Sequence, residues 1–156
     1  MDAEQLTESA LKEQCIRLLA LREHSQQELI VKLQRRGFSK KQIQPVLTEL
    51  QTAGWQNDQR YAECYARQRL GNGFGWQRVA YELRLRGITD ADISYVKAEF
   101  AELDSQESLV QLYEKKYGTD VVTSRQEWAK RMRFLLQRGF SSSMLKALDK
   151  FKPATM

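Results

Sequence analysis

Eight cations are the side chains of this sequence whose type and placement could do chemistry: Lys40 and Lys41, then Arg67, Arg69 and Arg78, then Lys130, Arg131 and Arg133. The chemistry open to them is ion pairing and hydrogen bonding to phosphate or carboxylate oxygens. Lys40 and Lys41 begin a helical pattern, where positive charge opposes the helix dipole, so a partner that brings negative charge explains them better than the fold does. Arg67 and Arg69 precede a glycine-dense connection, Arg78 follows it, and the remaining three lie in the last third of the chain. Singly, each of the other six cations is accounted for by a solvated helix face. As a group they point to binding.

Bond-making chemistry has little to work with. The one histidine, His24, falls in a corner between helical patterns, and one imidazole does not make a metal site or a catalytic pair. Cys15 and Cys64 each sit inside a helical pattern and read as reduced, partly buried thiols. The stretch RLGNGFGW carries Gly71, Gly73 and Gly75, but it lacks the Gly-Lys-Ser/Thr of a phosphate loop and the βαβ setting of a dinucleotide fingerprint, so it reads as a turn. The sequence therefore predicts a non-enzyme with no cofactor and no metal. Trp55, Phe74, Trp76 and Trp128 could stack on bases, yet their helical spacing or corner positions favour packing between helices.

The elements that carry these residues repeat. Aligned on Gly37, Gly87 and Gly139, three segments share Leu33, Leu83 and Leu135 four residues earlier and Arg36, Arg86 and Arg138 just before the glycine. Phe38, Ile88 and Phe140 follow it, then Ser39, Thr89 and Ser141, with Ile43, Ile93 and Leu145 and finally Val46, Val96 and Leu148 beyond. Glycine in the left-handed conformation ends helices, and arginine before it suits the negative helix end. The apolar residue folds back, and Ser or Thr caps the next helix. Each copy thus holds a helix–corner–helix junction, and capping accounts for its arginine without a partner.

An amphipathic stretch precedes each junction: Leu11, Cys15, Leu18 and Leu19, then Tyr61, Ala62, Tyr65 and Ala66, then Leu109, Leu112 and Tyr113. Trp76, Val79, Ala80 and Leu83 mark the middle helix of the second copy, and Trp128, Met132, Leu135 and Leu136 that of the third. Ser25-x-x-Glu28 and Ser124-x-x-Glu127 read as capping boxes, and Asp58 as the cap of the helix carrying Tyr61. Pro45 falls inside the third helix of copy one and predicts a kink or a late start there. The sum is an all-α chain of nine helices in three tandem three-helix repeats, over residues 1–54, 55–103 and 104–156. Units this small bury little surface alone, so neighbours should share contacts in an elongated, curved array.

Composition agrees with this. With 42% hydrophobic and 29% charged residues, two prolines and no long apolar run, the 156-residue chain suits solvated helices in the cytoplasm and not a membrane. The N-terminus is too polar and acidic for a secretory signal. The net charge of +5 distributes as +1, 0 and +4 over the three repeats. That is a modest attraction for polyanions, strongest in the third.

These motifs, in order and over nearly the whole chain, resemble the RecX family of RecA regulators. Leu21-Arg22-x-His24-Ser25-x-x-Glu28-Leu29 with Lys32-Leu33-x-x-Arg36-Gly37-Phe38 is similar to the family's opening repeat. Asp58-x-Arg60-Tyr61-Ala62, Arg67, Gly73, Gly75, Glu82-Leu83 and Arg86-Gly87-Ile88 resemble the second. Lys116-Tyr117-Gly118 and Lys130-x-x-Arg133-Phe134-Leu135-x-x-Arg138-Gly139-Phe140 fit the third. Gln56 stands where the family usually has an apolar residue, and Val79 where Ile is common.

The chain is expected to be a monomer, and the resemblance implies a three-repeat, nine-helix curved protein that lodges in the groove of a RecA–DNA filament and contacts more than one RecA subunit. It implies inhibition of RecA's recombinase, ATPase and co-protease activities, by limiting filament growth or promoting disassembly, with weak affinity for single- and double-stranded DNA. Two other readings fit the residues: a stand-alone helical nucleic-acid-binding module, and a passive helical scaffold.

Overall fold

In all three copies the helix before the corner ends in one hydrogen-bond pattern. Leu33, Leu83 and Leu135 each accept at their carbonyl from the residue after the glycine, Phe38, Ile88 and Phe140, at 3.1, 3.1 and 3.2 Å. The glycine N–H groups themselves donate to Gln34, Arg84 and Leu136. This pair of bonds closes the orphan carbonyls of a helix end, and it needs the positive φ that Gly37, Gly87 and Gly139 show, 98°, 82° and 101°. The next helix is then capped as expected: the hydroxyls of Ser39, Thr89 and Ser141 accept from the backbone N–H of Gln42, Asp92 and Met144.

The computed structural model describes residues 2–154, and among them it contains nine α-helices and one 3-10 helix, with no strand. The helices are α1 (Ala3–Leu21), α2 (Gln26–Arg35), α3 (Lys40–Thr52), α4 (Asp58–Gly71), α5 (Trp76–Leu85), α6 (Asp90–Glu99), α7 (Gln106–Tyr117), α8 (Arg125–Gln137) and α9 (Ser142–Leu145), which runs into the 3-10 helix Lys146–Phe151. None is long and apolar enough to cross a membrane.

The chain gathers into two compact units, residues 1–64 with 83–93, and residues 65–82 with 94–156. In the first, Leu11, Cys15 and Leu18 of α1 pack with Leu29 and Leu33 of α2 and with Ile43, Val46, Leu47 and Leu50 of α3. Burial among these apolar side chains raises the Cys15 thiol to about 11. In the second, Leu109, Tyr113, Trp128, Leu135, Phe140, Leu145, Leu148 and Phe151 form the core. Tyr113 is its centre, stacked on Phe151 at 4.7 Å and meeting the edge of Trp128 at 6.4 Å.

Several local expectations need correction. Asp58 does not cap α4: Asn57 does, accepting from the Arg60 N–H, because Asp58 Oδ1 is taken by the Gln26 N–H and the Gln56 amide. Ser124 caps α8 through the Glu127 N–H, but Glu127 turns to Arg131 instead of closing the box. Pro45 sits within a continuous α3 whose start is not delayed. Cys64 is exposed, and so is Trp55, while Trp76 and Trp128 are core residues. Gln56 is buried with its polar atoms engaged, donating to the His24 carbonyl and Asp58 and accepting from Gln51.

One junction rule appears within each unit. In the first, Gln27 at the start of α2 donates its side-chain N–H to the Leu85 carbonyl, two residues before Gly87, at 3.1 Å. In the second, Arg78 at the start of α5 donates to the Gln137 carbonyl, two residues before Gly139, at 3.2 Å. The start of one copy's middle helix thus seats on the next copy's corner.

The contact leaves no room for a side chain: a Cβ on Gly87 would meet Gln27 Oε1 at 2.3 Å, and one on Gly139 would meet the Arg78 backbone N at 2.5 Å. Around Gly37 nothing lies within 4 Å. Gly37→Ala should therefore cost only the left-handed backbone, roughly 1–2 kcal/mol. Gly139→Ala should cost about 1–3 kcal/mol more, because it also presses on backbone that cannot give. Gly87→Ala should fall between, since a side chain can swing away. Urea unfolding of the three variants would expose an error here if Gly37→Ala proved equal to Gly139→Ala.

Candidate partner-binding surfaces

Partners within the fold sort the eight cations. Arg69 forks onto Glu82, with Nε to Oε1 and Nη2 to Oε2 both at 3.0 Å, and its guanidinium lies 3.6 Å from the centre of the Phe74 ring. Arg78 reaches Glu82 Oε2 at 3.7 Å while holding the Gln137 carbonyl. Arg131 bonds Glu127 at 3.0 Å and the Tyr113 hydroxyl at 2.9 Å, and covers the Tyr117 ring at 4.5 Å. Arg67 is exposed, 5.4 Å from the centre of the Phe100 ring.

Lys40, Lys41, Lys130 and Arg133 are exposed and make no ion pair among the described residues. Though adjacent, Lys40 and Lys41 line different grooves: Lys40 one with Ile30, Gln34 and Asp58, Lys41 one with Glu4, Glu8 and Pro45. Lys130 and Arg133 stand three apart on α8, hence on one helix face.

The glycine-dense connection explains why Arg69 and Arg78 have inward duties. The Gly75 N–H donates to the Arg138 carbonyl at 2.7 Å, and the Gln77 N–H to the Gly139 carbonyl at 3.2 Å. A Cβ on Gly75 would meet the Gly139 carbonyl at 2.5 Å, so glycine is what permits backbone to meet backbone. Phe74, beside it, already carries the Arg69 and Arg138 guanidinium groups within 4.2 Å of its ring centre. Phe134 is covered by Lys116 at 3.7 Å and Arg138 at 5.0 Å. These cation–π contacts use the rings internally, so Phe74 is not an open platform for a base.

Sequence reasoning did not find this chain of alternating cations and rings. Two of its links, Phe74 with Arg138 and Lys116 with Phe134, join residues 64 and 18 apart, and only Arg69 with Phe74 and Phe134 with Arg138 are near neighbours in sequence. Among the described residues no group of three or more His, Cys, Asp or Glu could hold a metal ion.

His24 lies in a second polar cluster, in the first unit. It is 1% exposed, its Nδ1 is 3.0 Å from the Arg22 carbonyl, and its Nε2 is 2.8 Å from Lys32 Nζ. The ammonium must donate, so Nε2 accepts and Nδ1–H bonds the carbonyl: the ring is neutral. Glu28 beside it takes Arg22 on both oxygens, at 3.3 and 3.0 Å, and accepts the Ser25 N–H in a capping box. Burial works to raise the Glu28 carboxyl, but the bonds from Arg22 and Ser25 bring it below its ordinary value.

Glu82 is 14% exposed and Arg69 23%, so Arg69→Ala should take the bidentate partner from a largely buried carboxylate and cost about 2 kcal/mol, less than breaking a fully buried pair because Arg78 stays 3.7 Å from Glu82. Lys130→Ala and Arg133→Ala should cost about 0.5 kcal/mol or less. Equal midpoints in urea for all three variants would be the contrary result.

Burial holds the His24 pKa below its ordinary 6.5, with Arg22 and Lys32 adding repulsion and Glu28 opposing them. The unfolded chain takes up a proton as pH falls through 6.5 while the native ring does not, so stability is full above that pH and declines below it. Stability should therefore decline as pH falls below 6.5. His24→Gln should remove that dependence, and a slope that survives the substitution would assign it elsewhere.

Comparison with known proteins places the three helical copies. The first, second and third three-helix domains of RecX match residues 12–50, 57–96 and 102–147. A regulatory protein RecX of Halorhodospira halophila is 38% identical over 138 residues, 88% of this chain and 85% of that protein. One from Pseudomonas putida is 35% identical over 139 residues, 89% of this chain and 88% of its own. The crystal structure of RecX from Lactobacillus salivarius matches with a TM-score of 0.75 at 20% identity, over 93% of this chain and 96% of that one. A second crystal structure, of a regulatory protein RecX, has the same score and identity over 94% of this chain and 78% of that one. At that identity the likeness concerns the fold.

Proposed function

Because this chain belongs to the RecX family, we propose that it binds the RecA–DNA filament in its groove and restrains RecA. Recombinase, ATPase and co-protease activities fall together as filament growth is limited or disassembly promoted. The observation that carries the reading is the ordered match of all three RecX domains along one chain. The repeats, taken as residues 1–54, 55–103 and 104–156, present Lys40, Lys41, Lys130 and Arg133 outward, and these cations suit a partner built of protein and phosphate. Arg67 joins them at the surface. Arg69, Arg78 and Arg131 contribute by holding the second unit in shape.

Adding the protein to RecA on single-stranded DNA should lower DNA-dependent ATP hydrolysis at comparable or lower molar ratios. Undiminished hydrolysis at saturating protein would end this reading.

The unpaired Lys130 and Arg133 also favour a second reading, a stand-alone nucleic-acid-binding module. It requires tight binding to bare DNA at physiological salt, with a steep salt dependence that Lys130→Ala and Arg133→Ala make shallower by about one each. Weak bare-DNA binding beside strong inhibition of RecA would exclude it.

A further inference from the structure

In the first unit, α2 and the last turn of α5 line an open pocket of about 210 Å³ that none of the surfaces above includes. Lys32 and Arg35 enter it from α2, and Arg86 from the corner after α5. Glu28 also lines the cavity, but Arg22 already occupies both its oxygens. Lys32 Nζ meets the neutral His24 ring and no carboxylate, and Arg35 has no ion pair among the described residues. Burial first, then the Arg22 charge, lowers the Lys32 pKa, with Glu28 opposing them.

The walls are fixed, since Gln27 bonds the Leu85 carbonyl across the junction. Two aliphatic side chains complete the mouth: Leu85, 57% exposed, and Val31, 37% exposed. A phosphodiester backbone would satisfy the cations and leave Leu85 in water. A protein segment with Asp or Glu flanking an apolar side chain satisfies both, since it also takes the aliphatic surface out of water.

We propose that this pocket is a docking point for an acidic protein segment that places an apolar side chain on Val31 and Leu85 and carboxylates on Lys32 and Arg35. As applied to the filament, it names the chemistry of the protein partner and rests on the reading above.

The test compares wild type with an Arg35→Gln/Leu85→Gln double variant, whose native fold is first checked by circular dichroism. The concentration that half-inhibits ATP hydrolysis by RecA on single-stranded DNA should rise about tenfold, while affinity for bare single-stranded DNA stays within about twofold. Unchanged inhibition overturns the pocket and leaves the filament reading standing. Loss of bare-DNA affinity from Arg35→Gln alone, with no effect of Leu85→Gln, makes it a phosphate site and also overturns the proposal.

Should wild type not inhibit RecA, or the variant fail to fold, titration of ¹⁵N-labelled wild type with an acetylated, amidated Glu-Asp-Leu-Glu-Asp peptide decides. Millimolar peptide should shift the amides of Val31, Arg35 and Leu85, and its Gln-Asn-Leu-Gln-Asn counterpart should not. Absence of those shifts, or equal shifts from both peptides, overturns the pocket.

Discussion

The left-handed glycine between two helices is the constraint on which the rest of this fold is built. With two backbone bonds it stops a helix after Arg36, Arg86 or Arg138, returns the next apolar residue towards that helix, and delivers Ser39, Thr89 or Ser141 to cap the following one. All of this is local and so can be repeated by copying one short segment. The same bond pair closes α3 at Gly54 and α4 at Gly73, so the device is not confined to the repeat corner. A helix that ends in this way has its limit set by its own neighbours in sequence, before any long-range polar contact is made.

That locality explains what the sequence could reveal. The capping residues, the apolar faces and the three-by-three helix order are encoded within windows of about four to ten residues, the range over which helical periodicity and caps act. The failures have the opposite character. Asn57 displaces Asp58 as a cap because Asp58 is claimed by Gln26, 32 residues away. Glu127 leaves its capping box for an arginine one turn on. Cys64 has helical spacing but the solvated side of the helix, a difference of phase that a short sparse pattern does not define. The candidate cations were legible as cations, whereas their availability was not, since Glu82 and the Gln137 carbonyl lie 13 and 59 residues from the arginines that hold them.

The division between inward and outward cations follows from charge desolvation. A guanidinium drawn against protein must recover its lost hydration, and a bidentate carboxylate with an aromatic face does so, as Glu82 and Phe74 do for Arg69. Lysines at the start of α3 have no such compensation and stay in water. Arg69, Arg78 and Arg131 are held against the protein in this way, whereas Arg67 and Arg133 stay exposed.

The three corners are alike in backbone and unlike in obligation. Gly37 answers only to its own helix end. Gly87 and Gly139 answer also to Gln27 and Arg78, which approach too closely for any Cβ and bond the carbonyl two residues upstream. The side chain making that bond differs, an amide in one junction and a guanidinium in the other, so the interaction is defined by a donor and a carbonyl and not by one residue pair. A junction specified through backbone on one side leaves the side chains around it free to diverge. Arg35, Leu85 and Arg86 can thus gather at one corner, and Phe74 with Arg69 and Arg138 at the next, without altering how either corner is made. Repetition supplies the frame, and the differences between copies supply whatever the frame presents.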